Sequence, residues 1–229
     1  MLPVKVDAIV LKRSNYLESD KIIKILTSEG KKIDLIAKGV RKHKSKLAGS
    51  IEPFGQFEAC YVSSQKKGLG VLTSARLNKW YKNILLDQDK LFLGFEILRI
   101  TEKNIEENAD PEFFKLLNNF LNIIDQQNID LIRLKNWYFA NFLRLNGVIP
   151  NLKEDIQGHN LRSSIKYRFD LAKMALDLEG ELDQNDIKYL RIIFDKLHSS
   201  TVFRITNDHL IDIKLEKVVN SIFKNYLQI

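Results

Sequence analysis

The sequence predicts an α+β protein in which a small five-stranded β-barrel is followed by a helical domain. In the first third of the chain, short apolar runs are separated by Gly, Pro and polar turn residues, as is typical of strands. After Trp80 and Tyr81 the apolar period lengthens from two residues to about 3.6, which indicates amphipathic helices. We therefore expect two domains, residues 1–81 and residues 82–229.

The predicted strands are short and are connected by turns. They cover residues 3–13, 21–27, 32–39, 54–62 and 70–79. Ser14 to Asp20 is expected to be a polar connection, and Gly30 can take the positive φ of a hairpin turn. A closed barrel removes the exposed edges of such a set of strands. An OB-type barrel is the five-stranded solution, and an SH3-like barrel is the alternative that periodicity does not exclude.

The rest of the chain is expected to be all-helical. The predicted helices cover residues 83–102, 110–124, 130–145, 184–198 and 209–227. Asp110-Pro111-Glu112 is typical of a helix start, and Asn146-Gly147 is typical of a helix end. Residues 151–169 show no clear period, and residues 169–178 are predicted as a short helix.

The charge of the chain is unevenly distributed. The formal net charge is +7. Residues 1–82 hold 17 Lys and Arg against 7 Asp and Glu, which gives +10, whereas residues 83–229 hold 19 against 22, which gives −3. Such a split between the two parts favours a polyanionic partner for the first part.

Much of this excess lies in residues 38–49, which we call the basic run. No acidic residue occurs between Asp34 and Glu52, and the run contains Lys38, Arg41, Lys42, Lys44 and Lys46. Gly39 and Gly49 favour a loop here. A packed core does not accept unpaired charges, so the run is either solvated or paired with an external polyanion. A solubilising surface loop is the competing interpretation. A second basic turn is predicted at residues 65–68.

Several function classes find no support in the sequence. No apolar run is long enough to span a bilayer, and the N-terminus lacks the apolar stretch of a secretory signal. The single cysteine, Cys60, excludes an internal disulfide and is predicted to lie in the core, which fits a reducing cytoplasm. The four histidines are scattered, and phosphate-binding and nucleophile motifs are absent. We therefore predict a non-enzymatic protein without a cofactor or a metal.

Several ordered motifs in the chain resemble the bacterial RecO family of recombination mediators. The most specific is Lys44-Ser-Lys-Leu-Ala-Gly-Ser-Ile-Glu-Pro-Phe54. The other matching segments are residues 8–13, 16–20, 30–41, 68–75 and 145–152, the last containing Pro150-Asn-Leu152. Many members of this family carry a four-cysteine zinc module after that corner. Residues 153–182 of this chain contain no cysteine, so we expect no zinc there.

The resemblance implies an OB-fold N-terminal domain and a helical C-terminal domain. It also implies binding of single- and double-stranded DNA, annealing of complementary strands, and help in loading recombinase onto strands coated by single-strand binding protein (SSB). The implied partners are RecR and the acidic C-terminal tail of SSB, and no membrane is involved. The implied location is the cytoplasm, in association with the nucleoid.

The candidate DNA-binding residues are cations of the barrel and of the basic run. They are Lys12, Arg13, Lys31, Lys32, Lys38, Arg41, Lys42, Lys44 and Lys46. Tyr16 and Phe54 are candidates for stacking on bases, although an aromatic residue near a barrel more often belongs to its core.

A second candidate site lies in the helical part of the chain. Arg133 and Lys135, with the aromatic side of Trp137, are candidates for binding an acidic peptide that ends in an apolar residue. A solvated helix face is the competing interpretation of these three residues.

Two other functions stay open at this point. One is a protein-interaction adaptor whose basic run binds an acidic protein. The other is an RNA-binding protein, because OB barrels also bind RNA.

Overall fold

The computed structural model describes residues 3–62, 69–195, 203 and 209–227, so the second basic turn lies outside the described residues. The chain divides into two compact units, Met1–Ile129 and Asp130–Ile229. The first compact unit therefore reaches beyond residue 81 and includes two α-helices among the described residues, and the domain boundary after residue 81 stays a prediction. None of the helices among the described residues combines the length and the apolar character that crossing a membrane requires.

The first unit contains the five-stranded barrel that the sequence predicts. Its strands are β1 (Val4–Tyr16), β2 (Asp20–Thr27), β3 (Lys32–Ala37), β4 (Gly55–Val62) and β5 (Gly70–Trp80). They close in the order β1-β2-β3-β5-β4, and β3 and β5 are the parallel pair. Alternate residues such as Ile23, Ile25 and Phe57 fill the interior. The α+β fold class with an OB-type N-terminal barrel is thus confirmed.

Two local predictions for the barrel are wrong. Strand β1 continues to Tyr16, which pairs with Asp20, so the connection to β2 is only the turn Leu17–Ser19. The polar residues at the end of β1 belong to a strand because they face solvent while their backbone stays paired. Cys60 is half-buried, because it lies on the outward side of β4, between the inward-facing Ala59 and Tyr61.

The helices α1 (Gln88–Asn104) and α2 (Glu112–Ile124) complete the first unit. The Asp87 carboxylate caps α1 by accepting hydrogen bonds from the Asp89 and Lys90 amides. Helix α1 packs on the barrel where Phe54 meets Phe95, with ring centroids 4.9 Å apart. A Cβ on Gly94 would lie 2.8 Å from the Phe54 ring, so only glycine permits this close approach.

The turn between β2 and β3 contacts the segment that connects α1 to α2. Gly30 has φ +83°, which confirms its predicted role in the turn. The Ala109 amide donates to the Gly30 carbonyl at 3.0 Å, and the Lys32 amide donates to the Glu107 carbonyl at 2.8 Å. A Cβ on Gly30 would lie 2.1 Å from the Ala109 carbonyl oxygen. The turn and the helical connection therefore fit each other at backbone distance.

The second unit is built around α3 (Leu131–Leu145), with α4 (Gln184–Asp195) and α5 (His209–Leu227) packed against it. Asp130 and Asp183 cap α3 and α4, because their carboxylates accept backbone amide hydrogen bonds in the first turns. Most of α3 is buried. Phe139 of α3 and Phe223 of α5 stack with centroids 4.0 Å apart.

A buried carboxylate joins helices α3, α4 and α5 of the second unit. Asp212 of α5 is fully buried and accepts two hydrogen bonds from the Arg133 guanidinium, at 3.0 and 2.8 Å. The Tyr189 hydroxyl of α4 donates to its other oxygen at 2.9 Å. Burial and the neighbouring Asp212 charge raise the pKa of Tyr189, so this hydroxyl keeps its proton.

The second unit is not all-helical as predicted, because a three-stranded sheet lies between α3 and α4. Its strands are β6 (Asn151–Asp155), β7 (Tyr167–Asp170) and β8 (Ala175–Leu178), in the order β6-β8-β7. The predicted short helix over residues 169–178 is in fact a β-hairpin. The strands have four or five residues each, which is too short for a period of two to stand out in the sequence.

Hydrogen bonds hold this cysteine-free segment together. The buried Asp155 carboxylate accepts from the Gln157 and His159 amides at 2.8 and 2.9 Å. The Tyr167 hydroxyl accepts from the Arg162 amide at 2.8 Å, and the Arg191 guanidinium of α4 donates to the Leu152 carbonyl of β6. Among the described residues, no three His, Cys, Asp or Glu side chains come together in a way that could hold a metal ion.

The Asp212 network gives a stability prediction. Asp212→Ala leaves the Arg133 charge without its buried partner, so we expect a loss of about 3–5 kcal/mol in the free energy of unfolding of the second unit. A Trp80→Phe background leaves Trp137 as the single tryptophan, and its fluorescence during urea unfolding measures this loss. As a control, Asp177→Ala removes the partner of Arg168, whose side chain is 66% exposed, and should shift the midpoint far less. Equal shifts would contradict the prediction.

Candidate nucleic-acid interface

The basic run leaves the end of β3 and is held to the barrel by apolar side chains. Val40 and Ile51 are buried in the barrel core, and Leu47 and Ala48 pack partly against it. All five cations of the run are exposed: Lys38, Arg41, Lys42, Lys44 and Lys46. The run is therefore a surface loop whose apolar residues point inward and whose charges point to solvent.

The start of the basic run is bonded to the β1–β2 turn. The Gly39 amide donates to the Asp20 carboxylate at 2.7 Å, and the Arg41 amide donates to the Ser19 carbonyl at 2.9 Å. The Arg41 guanidinium also donates to the Leu17 carbonyl at 3.2 Å. These three bonds place the first cations of the run directly beside the turn.

Short-range bonds shape the rest of the run. The Lys42 amide donates to the Gly39 carbonyl and the Ser45 amide to the Lys42 carbonyl, at 3.1 and 3.0 Å. The Ser45 hydroxyl then accepts from the Leu47 amide at 3.3 Å. Within the described part of the chain, no carboxylate lies within 4 Å of the ammonium groups of Lys38, Lys42, Lys44 and Lys46. These four charges are available to an external anion.

The four cations predicted on the strands have different environments. Lys12 is exposed on β1, whereas Arg13 pairs with Glu52 at 2.7 Å and Lys31 pairs with Glu29 at 2.8 Å. The prediction that Lys32 binds DNA requires a correction. Its ammonium donates to the Glu102 and Ile105 carbonyls at the end of α1, at 2.8 and 2.5 Å, so it caps that helix and does not face an external ligand.

The outer face of β1, β2 and β3 carries a shallow groove of about 190 Å³. It is lined by Lys12, Ser14, Ile22, Lys24, Asp34 and Leu69. OB barrels bind oligonucleotides on the face formed by strands 2 and 3 and on the loops beside it. Sequence reasoning found only Lys12 of this set. The alternation in each strand could have indicated which side chains face outward. It could not show that they form one groove, because that depends on the strand register, in which Lys12 pairs with Lys24 and Ser14 pairs with Ile22.

Lys24 is the central cation of the groove. Its ammonium lies 3.2 Å from the Glu102 carboxylate and 3.6 Å from that of Asp34. Partial burial disfavours the ammonium, but hydrogen bonding to Glu102 and the charge of Asp34 raise the pKa of Lys24. Lys24 therefore stays charged at neutral pH, and its two carboxylate partners offset that charge.

The two aromatic candidates differ. Tyr16 is 38% exposed at the end of β1. Phe54 is fully buried against Phe95, so it is a core residue, as an aromatic residue near a barrel more often is, and it cannot stack on a base. Its φ of +59° turns the chain at the start of β4 and directs the ring beneath α1.

The peptide site predicted on α3 requires a correction. Trp137 is fully buried, so its ring is part of the core of the second unit and cannot contact a peptide. Arg133 is bound to the buried Asp212 carboxylate. The ammonium of Lys135 lies 5.4 Å above the centre of the Phe139 ring. The amphipathic pattern of α3 marked residues that face the core and not a binding surface.

Comparison with known proteins gives one family match. A family model described as "Recombination protein O N terminal" matches residues 1–81. These residues include the whole barrel, the basic run and the groove.

Curated relatives match further along the chain. A protein from Desulfatibacillum aliphaticivorans named "DNA repair protein RecO" is 30% identical over 67% of this chain. That match spans 60% of the relative, which is less than two thirds of its length. Proteins of the same name from Thermoanaerobacter sp. (strain X514) and Exiguobacterium sibiricum are 26% and 23% identical over 99% and 98% of this chain, and the matches cover 93% and 90% of those relatives.

The bond between Asp20 and Gly39 is testable by limited proteolysis. Asp20→Ala removes the acceptor of the Gly39 amide, so we expect trypsin to cleave the basic run several-fold faster as its attachment loosens. Asp20→Asn keeps a side-chain oxygen that can accept this bond and should be cleaved at close to the wild-type rate. Mass spectrometry of the first products locates the cut. Equal rates for the wild type and the alanine variant would show that the bond does not hold the run.

The same carboxylate gives a pH prediction. The hydrogen bond from the Gly39 amide lowers the pKa of Asp20, and the Ser19 hydroxyl and the charges of Lys38 and Lys42 add to this effect. Because the folded pKa lies below the unfolded one, the stabilisation is present above the ordinary value of 3.8 and is lost as the pH falls through the lower, folded pKa. NMR titration should give a midpoint for Asp20 below 3.8 that rises when Lys38 and Lys42 are changed to Gln. A midpoint of 3.8 or more would contradict the assignment.

Proposed function

The chain belongs to the RecO family, and on this premise we propose that it is a non-enzymatic DNA-binding protein of repair and recombination. The observation that carries the proposal is the exposed set of cations in the basic run. These cations have no carboxylate partner among the described residues, and they lie beside a turn that leads to an OB-type groove. Such an arrangement suits a polyanion better than a small acidic ligand.

The proposed contacts are made to phosphates. Lys38, Arg41, Lys42, Lys44 and Lys46 would bind the backbone of a strand, and Lys12 would continue this path into the groove. Arg13, Lys31 and Lys32 are less suited, because each already has a partner in the first unit. Phosphate contacts position a strand without recognising its sequence, and they release counterions. Binding should therefore be independent of sequence and should weaken with salt.

Annealing follows from the same charges. Two complementary strands repel each other through their phosphates, and a surface that screens both sets of phosphates lowers the cost of bringing them together. Base pairing then supplies the driving force, so the protein needs to perform no chemical step. Help in loading recombinase onto SSB-coated strands is part of the same proposal and rests on family membership.

Two protein partners are proposed on family membership alone. They are RecR and the acidic C-terminal tail of SSB. With Trp137 buried and Arg133 bound to Asp212, the α3 residues no longer support a site for this tail. We therefore propose the partners without assigning residues to them.

The proposal is tested by a charge-neutral variant of the basic run. We expect Lys42/Lys44/Lys46→Gln to bind both single-stranded and duplex DNA more weakly. The slope of log affinity against log salt should fall by roughly 0.7 to 0.9 for each of these lysines that contacts a phosphate. Fluorescence anisotropy titrations at several salt concentrations measure both quantities.

A second triple variant separates local contacts from net charge. Lys153/Lys173/Lys188→Gln removes the same charge from exposed positions of the second unit. We expect this control to bind DNA nearly as the wild type does. Equal losses in the two variants would mean that the basic run is not the interface, and no DNA binding at low salt would favour a protein-interaction adaptor. A strong preference for RNA of equal length would favour the RNA-binding alternative.

A further inference from the structure

The turn between β1 and β2 exposes an apolar tip, which we define as Tyr16 and Leu17. Leu17 is 71% exposed, and its φ of +49° lies in the left-handed region that side chains other than glycine rarely adopt. A single exposed leucine is ordinary. A leucine held outward in a strained backbone conformation is not, because glycine or asparagine would form this turn with less strain.

Bonds from the basic run support this conformation. The Leu17 carbonyl accepts from the Arg41 guanidinium at 3.2 Å, and the Ser19 carbonyl accepts from the Arg41 amide at 2.9 Å. Asp20, the first residue after the turn, holds the Gly39 amide. The apolar tip is therefore fastened to the cations and keeps a defined position relative to them.

The apolar tip also continues the groove. Lys12 and Ser14 line the groove, and Tyr16 is the next residue that alternation places on the same face of β1. The register agrees, because Ser14 pairs with Ile22 of the groove and Tyr16 pairs with Asp20. The order along the surface is groove, apolar tip and basic run.

We propose that the apolar tip contacts unpaired bases and gives this protein a preference for single strands over duplex. The inference rests on the proposed DNA-binding function and specifies that the preferred DNA is single-stranded. In a single strand the bases can rotate toward Tyr16 and Leu17 while the phosphates meet Arg41 and Lys42. In a duplex the bases are stacked inside, and the apolar tip has only sugars and phosphates to touch. Stacking and wedging by aromatic and aliphatic side chains are established ways to hold bases.

The test compares labelled oligo(dT) with a duplex of equal length. We expect Leu17→Asn and Tyr16→Ser each to lower the affinity for the single strand about five- to tenfold, with the duplex affinity and the salt slope unchanged. Asparagine tolerates the left-handed region, so Leu17→Asn should unfold at the same or a higher urea concentration than the wild type. Leu86→Asn is the matched control, because Leu86 is 82% exposed in the segment before α1 and should change neither affinity.

The outcomes separate this inference from the proposed function. If the basic-run variant loses binding while Leu17→Asn and Tyr16→Ser keep the full single-strand affinity, the apolar tip has no such role and the proposed function stands. Equal losses for single strand and duplex also overturn the inference. If the wild type binds no DNA, both fail. A loss confined to the single strand, with the Leu86→Asn control unchanged, supports the inference.

Discussion

One carboxylate supports the whole candidate interface. The basic run consists of like charges that repel one another, and it has neither a helix nor a strand to order its first half. Asp20 offsets this by accepting the Gly39 amide at 2.7 Å, while its charge attracts Lys38 and Lys42. Because Asp20 also begins β2, the bond transfers the rigidity of the barrel to the run. The groove, the turn and the cations thereby form one continuous surface.

The structure separates cations that look equivalent in the sequence. They differ in whether backbone carbonyl groups from a distant part of the chain lie within hydrogen-bonding distance. Lys32 is bound by carbonyls at the end of α1, 70 and 73 residues further on, where the helix dipole favours a positive charge. Burial lowers the pKa of Lys32, and the nearby Lys24 charge adds to this effect. Within the described ranges, the lysines of the basic run meet no such carbonyl group. Lysines a few residues apart can therefore differ, with Lys32 bound inside the first unit and those of the basic run exposed.

The sequence predicted the features that depend on local patterns. The barrel followed from the period of two, and the start of α2 followed from the pattern Asp110-Pro111-Glu112, in which the Asp110 carboxylate accepts the Glu112 amide. The sheet of the second unit was missed for two reasons. Strand β6 pairs with β8 across more than twenty residues, and the hairpin strands β7 and β8 have four residues each, which is too few for a period of two to show. The peptide site on α3 was wrong because this helix is covered on nearly all sides, so Trp137 offers no exposed face and Arg133 binds Asp212. The groove could not be predicted because its lining residues come together only through the register of three strands.

The close fit between Gly30 and Ala109 has a consequence for how this chain can evolve. Each backbone constrains the other, so an insertion or deletion in the β2–β3 turn must be matched by a change in the segment that joins α1 to α2. The stretch that keeps both sides of this fit together is the compact unit Met1–Ile129. A fusion joined directly after Trp80 would carry a barrel with Phe54 and Lys32 stripped of their partners. Breakpoints near Ile129 preserve those contacts.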